Sequence, residues 1–391
     1  MSTASGNFDG GRLTEIIEER EMTRAGLAKS LQVSRQAVSQ YEKGQRWPSG
    51  NVMFRMARIL EVPLHFFLGG EVPEVSGPVF FRSMAAATKS ARVCAKRRYA
   101  WAKKVVKCVR EFVEFPRVNF PRFKVPHDPI KLTDEEIERI ALETRRFWGL
   151  GEGPISNVVW LLENNGAIIV RQDLPVKTLD AFSEWSKEDD TPYFVLGAGR
   201  GSAVRSRLDA AHELGHMILH RHIKNLQNSD VFRKMEEQAY YFAGAFLLPA
   251  RSFERDIMIP TLRSLVLAKA KWKVSIGAMI KRMGHLCLLS PAREQRMFAN
   301  YSRRGWRTNE PLDDEIEMEE PRFIRRSFDL LIKNGVIGAD DLESRLGLYI
   351  DDIEKVTGLI GYFRQSERNV KFPRMIRFDK DSRRTSVRKN K

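Results

Sequence analysis

Apolar positions recur at helical spacing along most of this chain, and β-branched and aromatic runs interrupt that spacing at two places only. Leu13, Ile16 and Ile17 mark a first helix. Thr23 can cap a second that carries Leu27, Ala28 and Leu31, and Ser34 can cap a third from Arg35 to Lys43. Only Gln32-Val33 separates the second from the third. Gly44 ends the third helix, Pro48-Ser49 opens a fourth, and Met53, Met56, Ala57 and Leu60 extend its apolar face. Two short helices joined by so brief a turn have the geometry of a helix-turn-helix. Ala37, Val38 and Tyr41 are expected to pack inward. Arg35, Gln36, Ser39 and Gln40 then face outward, where Arg and Gln can bond base edges bidentately.

A Gly/Pro-rich break from Gly69-Gly70 to Gly77-Pro78 follows, then Phe80 to Ser83. Next comes a long helix over about 85–114, with Trp101, Val105, Val109 and Phe112 on one stripe and cations elsewhere. A Pro-rich strip to Pro129 closes it. Thr133 caps a helix running to Phe147-Trp148, and residues 154–164 form another. Two strands are expected at 167–171 and 192–196, with a charged loop between them (Ser183, Glu184, Lys187 to Asp190). The second strand is expected at a cleft edge, where an extended peptide could pair its backbone. A glycine-rich turn, Gly197 to Gly201, leads from it into a helix around residues 207–220. Beyond lie an amphipathic helix at 235–249 and a helical C-terminal region. There Leu265 to Met279 echoes the pattern of 27–38, as either a winged-helix-like element or two packed helices. Arg303 to Trp306 and the acidic run Asp313 to Glu320 read as a surface connector. Residues 328–359 give two or three short helices, and Arg368 to Lys391 has no core-forming pattern.

Chemistry concentrates in Arg207 to His220. On a helix His212 and His216 project from one face, a spacing that holds two corners of a tetrahedral zinc, with Glu213 beside them as the base for water. Glu236 lies twenty residues after His216, far enough for a turn and a returning helix, and can complete a two-histidine, one-glutamate site. Glu237 is the rival. Glu236 shares a face with Ala239, Tyr240 and Ala243, whose alanines permit close approach, whereas Glu237 points away. Donors for a developing oxyanion are to be sought among His220, His222, Tyr193 and Tyr240, with a core role or support of the ligands standing equally for His220.

Composition narrows this further. With 391 residues, several domains are expected, and 42% apolar content supports real cores. The longest apolar runs fall short of a membrane span, residues 1–12 carry no apolar signal core, and three cysteines are too few for a disulfide framework. A cytoplasmic protein without a membrane partner is expected. The net charge of +16 is concentrated. Residues 82–124 hold 13 Lys/Arg against 2 Glu, and 368–391 hold 10 against 2 Asp, which suggests phosphates or an acidic partner.

Two family resemblances rest on these motifs. Leu27-Ala28, Val33 to Ser39, Glu42-Lys43-Gly44, Pro48, Ala57 and Leu60 to Val62 resemble the Xre/Cro family of DNA-binding domains, with Gln32 where that family usually has a turn glycine. Residues 154–249 look like the ImmA/IrrE family of zinc metallopeptidases, through Arg207, His212-Glu213-Leu214-Gly215-His216, His220, Glu236-x-Gln238-Ala239, Phe242-Ala243 and Leu247-Leu248-Pro249. Tyr240 stands where that family often has Asn.

The resemblance implies a mainly α (α+β) chain: an all-α helix-turn-helix bundle, a zincin-like helical domain with a small sheet, and a helical C-terminal region. Divisions are expected at 11–70, 78–129 (a basic connector), 130–255, 256–365 and 366–391. It also implies a DNA-binding, zinc-dependent endopeptidase, with manganese as the alternative metal. Such an enzyme regulates transcription by cleaving an Xre-type repressor, and the helix-turn-helix also admits a homodimer. Two rivals stand beside it. One is a non-proteolytic regulator that uses the peptidase-like fold as a ligand or metal sensor. The other is the toxin half of a toxin–antitoxin pair.

Overall fold

The computed structural model describes residues 7–68, 88–174, 181–198, 202–223 and 229–369. The break at 69–78, the segment 80–83, the glycines of the 199–201 turn and the tail from residue 370 lie outside them. The described helices begin with α1 (Gly10–Glu19), α2 (Arg24–Leu31), α3 (Arg35–Glu42), α4 (Gly50–Leu60), α5 (Lys89–Arg110), α6 (Asp134–Phe147) and α7 (Val158–Asn164). Strands β1 (Ile168–Gln172), β2 (Ala181–Ser186) and β3 (Thr191–Gly197) follow, then α8 (Ala203–Leu219), α9 (Ser229–Leu247) and α10 (Ala250–Asp256). The chain continues through α11 (Leu262–Trp272), α12 (Ile276–His285), α13 (Pro291–Arg303), α14 (Phe323–Lys333), α15 (Ala339–Leu346), α16 (Ile350–Thr357) and α17 (Tyr362–Asn369). The protein is mainly helical, and its N-terminal unit is all α. No described helix is long and apolar enough to cross a membrane.

Local chemistry explains the helix-turn-helix. Thr23 and Ser34 accept hydrogen bonds from the backbone N–H groups of Gly26 and Ala37 and so cap α2 and α3. Gln32 takes the left-handed backbone of the turn at φ 54°, the position where the family prefers glycine. Thr133 and Glu136 close a full capping box on α6. The helix expected from residue 154 starts only at Val158, because Asn157 supplies the cap.

The sheet has the order β1-β3-β2, with β1 and β3 parallel and β2 antiparallel to β3. This corrects the charged loop expected between two strands. Residues 181–186 form a strand, and only the acidic residues after it make the turn. The strand expected at the cleft edge, β3, is central, and β2 is an edge strand. Alternation assigns the two faces. Ile169, Ala181, Phe194 and Leu196 pack on α8 and its neighbours, while Ile168, Val170, Phe182, Tyr193 and Val195 face the opposite way.

Those two faces belong to two hydrophobic cores that share the sheet as a wall. One core joins α1–α4, α5 and the C-terminal helices α14–α17 to the second sheet face. The other gathers α6–α13 on the first. Packing therefore cuts across the expected division at 256–365: residues 262–301 go with the metal-site core and 324–363 with the helix-turn-helix. Gly358 shows how tightly the C-terminal helices dock. It ends α16 at φ 75°, and a Cβ there would meet the Arg171 carbonyl at 2.3 Å.

One further expectation changes. The helix α5, read as a basic connector, is the central strut of its core, with Trp101 buried. Several of its cations are held by other elements: Arg97 bonds Glu18, Arg98 bonds Glu19, and Arg110 bonds Asp189 and Thr191, while Lys107 pairs with Glu188 at the surface. The acidic run, with Asp314, Glu315, Glu317 and Glu320 exposed, is a surface connector as expected, but one pinned at several points. Buried Lys269 binds Glu310 at 2.9 Å and Asp313 at 2.6 Å, while Glu319 accepts from Arg207 and from the Val158 and Val159 N–H groups at the start of α7. This strap carries the chain from one core to the other.

The echo at 265–279 is a pair of packed helices. Lys273 repeats the left-handed turn of Gln32 at φ 52°, and Ser275 caps α12. The apolar face of α12 packs on α9 and α13, and no strand follows it among the described residues.

Candidate metal centre and DNA-binding helix

The site is made by α8 crossing α9. Gly215, between the two site histidines, allows the crossing: a Cβ there would sit 3.1 Å from the Ala239 carbonyl oxygen and 3.2 Å from Phe242 Cδ1. Across this contact His212 Nε2 and His216 Nε2 stand 3.1 Å apart. Glu236 Oε1 lies 3.1 Å from His216 Nε2, and Glu236 Oε2 lies 3.5 Å from His212 Nε2. A tetrahedral ion with bonds of about 2.0–2.1 Å has ligand–ligand edges of roughly 3.3 Å. The three donors fit such an ion, and they are the one group of three or more potential ligands that converge in this way among the described residues. Burial alone would raise the Glu236 carboxyl, but the two imidazoles beside it bring it down to about 2, so it is the ligating carboxylate form. Glu237 is exposed on the other side of α9.

Behind His216 runs a fixed hydrogen-bond chain. Gln238 Nε2 donates to the Pro129 carbonyl at 2.7 Å and the Leu132 carbonyl at 3.1 Å, which orients the amide. Its Oε1 is thereby turned to His220 Nε2 at 3.0 Å, and His220 Nδ1 lies 3.0 Å from His216 Nδ1. The amide fixes the tautomers: His220 donates through Nε2 and accepts at Nδ1, so His216 carries its proton on Nδ1 and presents a bare Nε2 to the metal position. Burial, then the neighbouring His216, pushes the His220 imidazole well below its ordinary value, so it stays neutral.

This places His220 behind the ligand rather than in a cleft, the supporting role of the two open to it and not that of an oxyanion donor. Tyr193 is displaced too. It lies on the sheet face turned away from α8, with its hydroxyl donating to Asp189 at 2.7 Å. His222 bonds the Pro126 carbonyl at 3.0 Å beside His127. Tyr240 alone among the four stands at the site, its ring 4.2 Å from that of His212.

Ser183 is a residue that sequence reasoning missed. It faces α8 from β2, and its hydroxyl donates to Glu213 Oε2. The signal was present in the period-two alternation of Ala181, Ser183 and Trp185 against Phe182, Glu184 and Ser186. The charged residues that follow masked it. Gln238 was visible in the motif, but its role depends on carbonyls about a hundred residues upstream.

In the N-terminal unit Ala37, Val38 and Tyr41 are buried. Arg35 and Gln36 are exposed on α3, and Ser39 and Gln40 are half-buried. Family models match both regions. Residues 162–283 match Peptidase_M78, the IrrE N-terminal-like domain, and residues 13–67 match the helix-turn-helix family. The chain joins an Xre-type helix-turn-helix to an IrrE-like M78 domain. The M78 match runs past Pro249 to include α11 and α12, which agrees with their packing on α9. Families of this type are metal-dependent, consistent with the His/Glu group in the M78 domain. No curated protein matches the chain. The architecture is that of a DNA-binding regulator with a peptidase-like domain.

Proposed function

We propose that this protein is a metal-dependent endopeptidase that regulates transcription by cleaving an Xre-type repressor. The observation that carries this reading is the convergence of His212, His216 and Glu236 with Glu213 beside them, on a chain that also holds a helix-turn-helix. His212, His216 and Glu236 would hold zinc, or manganese as the alternative. The ion when bound supplies Lewis acidity to polarise a carbonyl and to acidify water.

The chain's own groups supply the rest. Glu213 takes a proton from water as general base and later delivers it to the leaving amine. The Ser183 hydroxyl fixes the orientation of that carboxylate. Tyr240 is the donor best placed to steady a developing oxyanion beside His212. An extended substrate segment can add to the edge of β2, the strand that carries Ser183. Through Arg35, Gln36, Ser39 and Gln40, α3 would bring the peptidase to an operator, where a repressor substrate is locally concentrated.

The test combines metal analysis with cleavage of the Xre-type repressor encoded nearest to this protein. Wild type and Glu213→Gln should each bind about one metal per chain. Only wild type should cut, with the variant slowed by about 10²-fold or more. One observation favours the sensor alternative: His216 is 0% exposed and Glu213 2% exposed, so little of the site faces solvent. Metal bound in both proteins with no cleavage under any condition would favour a sensor that does not hydrolyse. Absence of metal would remove the ligand assignment.

A further inference from the structure

Outside both family matches, α13 and the turn that follows it carry arginines that neither the helix-turn-helix nor the metal centre uses. Arg293, Arg296, Arg303, Arg304 and Arg307 are all exposed. At 3.6 residues per turn, Arg293, Arg296, Asn300, Arg303 and Arg304 fall within an arc of about 100° on a helix roughly 20 Å long. Met297 and Tyr301, about 70° and 110° from the centre of that arc, hold the adjoining side of α13 in the core.

The only acid within the segment 291–307, Glu294, is paired with Lys281 at 2.9 Å. The acidic strap that follows makes its ion pairs with Lys269, Arg171 and Arg207. None of the five arginines forms an ion pair with a described acid. Arg304 stacks over the Trp306 ring at 5.1 Å, and Arg307 Nε donates to Ser302 at 2.7 Å. No described acid lies within ion-pair distance of these arginines, in contrast to Arg97, Arg98 and Arg110 of α5, which are held by Glu18, Glu19 and Asp189.

We infer that α13 is a second nucleic-acid contact, which binds the phosphate backbone without reading sequence. Three features select that partner. All five cations are arginines, whose planar guanidinium matches phosphate oxygens in bidentate fashion. No large exposed apolar side chain lies on α13, so the surface lacks the anchors of a protein interface and the apolar face of a membrane-lying helix. The chain also contains a DNA-binding domain, so a polyanionic backbone is already among its partners. The echo of the helix-turn-helix gains a structural meaning here. The second helix of that echo, α12, packs against α9 and α13, so α13 is the next helix outward from it.

This surface is separate from α3, and the experiment distinguishes the two. Full-length protein is titrated onto a fluorescent 30-base-pair mixed-sequence duplex at several salt concentrations. The proteins are wild type, the triple variant Arg293→Gln/Arg296→Gln/Arg303→Gln, an Arg35→Ala/Gln36→Ala variant, and an equal-charge control replacing exposed Lys131, Arg146 and Lys333 with Gln. Matching thermal midpoints establish that all are folded. Each phosphate contact contributes about 0.9 to the slope of log K against log salt, so the stripe variant should lose between two and three units of slope. The equal-charge control should lose clearly less, and an Arg-to-Lys triple should retain most of the slope.

A stripe variant indistinguishable from the control overturns the inference, and a weakened α3 variant in the same experiment leaves the helix-turn-helix reading intact. Loss in the stripe variant with an unaffected α3 variant supports the inference and counts against α3 as the contact with this duplex. Wild type that binds poly-glutamate but not duplex assigns the stripe to an acidic polypeptide and overturns the nucleic-acid claim. No binding to either polyanion also overturns it.

Discussion

Replacing His220 with Phe is the sharpest probe of the metal centre, because it removes a hydrogen-bond partner and keeps the volume filled. In the wild-type chain His220 Nδ1 receives the His216 Nδ1 proton at 3.0 Å, and His220 is 0% exposed, so no water can substitute. In His220→Phe the His216 ring loses the acceptor that holds its proton on Nδ1. Nothing then disfavours the other tautomer, whose Nε2–H cannot ligate. Losing one buried hydrogen bond costs about 1–3 kcal/mol, and groups that hydrogen-bond a metal ligand typically account for 10–100-fold in affinity, about 1.4–2.7 kcal/mol. The two estimates agree. Zinc affinity measured by chelator competition should therefore fall about 10–100-fold, whereas His216→Ala should abolish tight binding. Asn at position 220 places a carbonyl oxygen near the Nδ1 site and should recover much of the loss. Wild-type affinity in His220→Phe would refute the claim that the chain through Gln238 positions His216.

Three more expectations follow from the same geometry. Ser183→Ala should leave metal content unchanged and lower kcat roughly tenfold, the worth of one hydrogen bond to Glu213; unchanged kcat with metal bound would show that the carboxylate needs no support from β2. Gly215→Val inserts carbon where the Ala239 carbonyl already lies within 3.1 Å of a Cβ position. Overpacking of this kind costs about 1–3 kcal/mol, so the thermal midpoint should drop by several degrees and metal content with it, and a fully loaded variant of wild-type stability would disprove the close crossing. The third concerns pH. Burial alone would push the Glu19 carboxyl up, but Arg20, Lys355 and Arg98 hold it below its ordinary 4.5. A depressed carboxylate stabilises the fold fully above its unfolded value and loses that contribution as pH falls through its folded value. Thermal midpoints of wild type and Glu19→Gln should thus differ at pH 7 and converge below pH 4.5, and a gap of constant size across that range would exclude an ionised Glu19 as the hub joining α1, α5 and α16.

By itself, the sequence determined what local spacing can carry. Thr23, Ser34 and Thr133 cap their helices because a short side-chain oxygen reaches a backbone N–H two or three residues on, a contact that needs no distant partner. His212, Glu213 and His216 share a helix, so their relation was set by the 3.6-residue repeat, and the small residues around Glu236 indicated which face of α9 approaches them. What lies far apart in the chain was decided only by tertiary structure. Ser183 reaches Glu213 because β2 pairs with β3, and the alternation of residues 181–186 can mark a strand without specifying its partner. His220 became a support for His216 because two carbonyls near residue 130 fix the Gln238 amide, and nothing within the local motif determines that. The basic helix α5 looked solvated because a sequence shows its cations without the acids that α1 and the β2–β3 turn bring to them. Likewise α14–α17 joined the helix-turn-helix core, since the apolar face of an amphipathic helix specifies burial but not the surface that buries it.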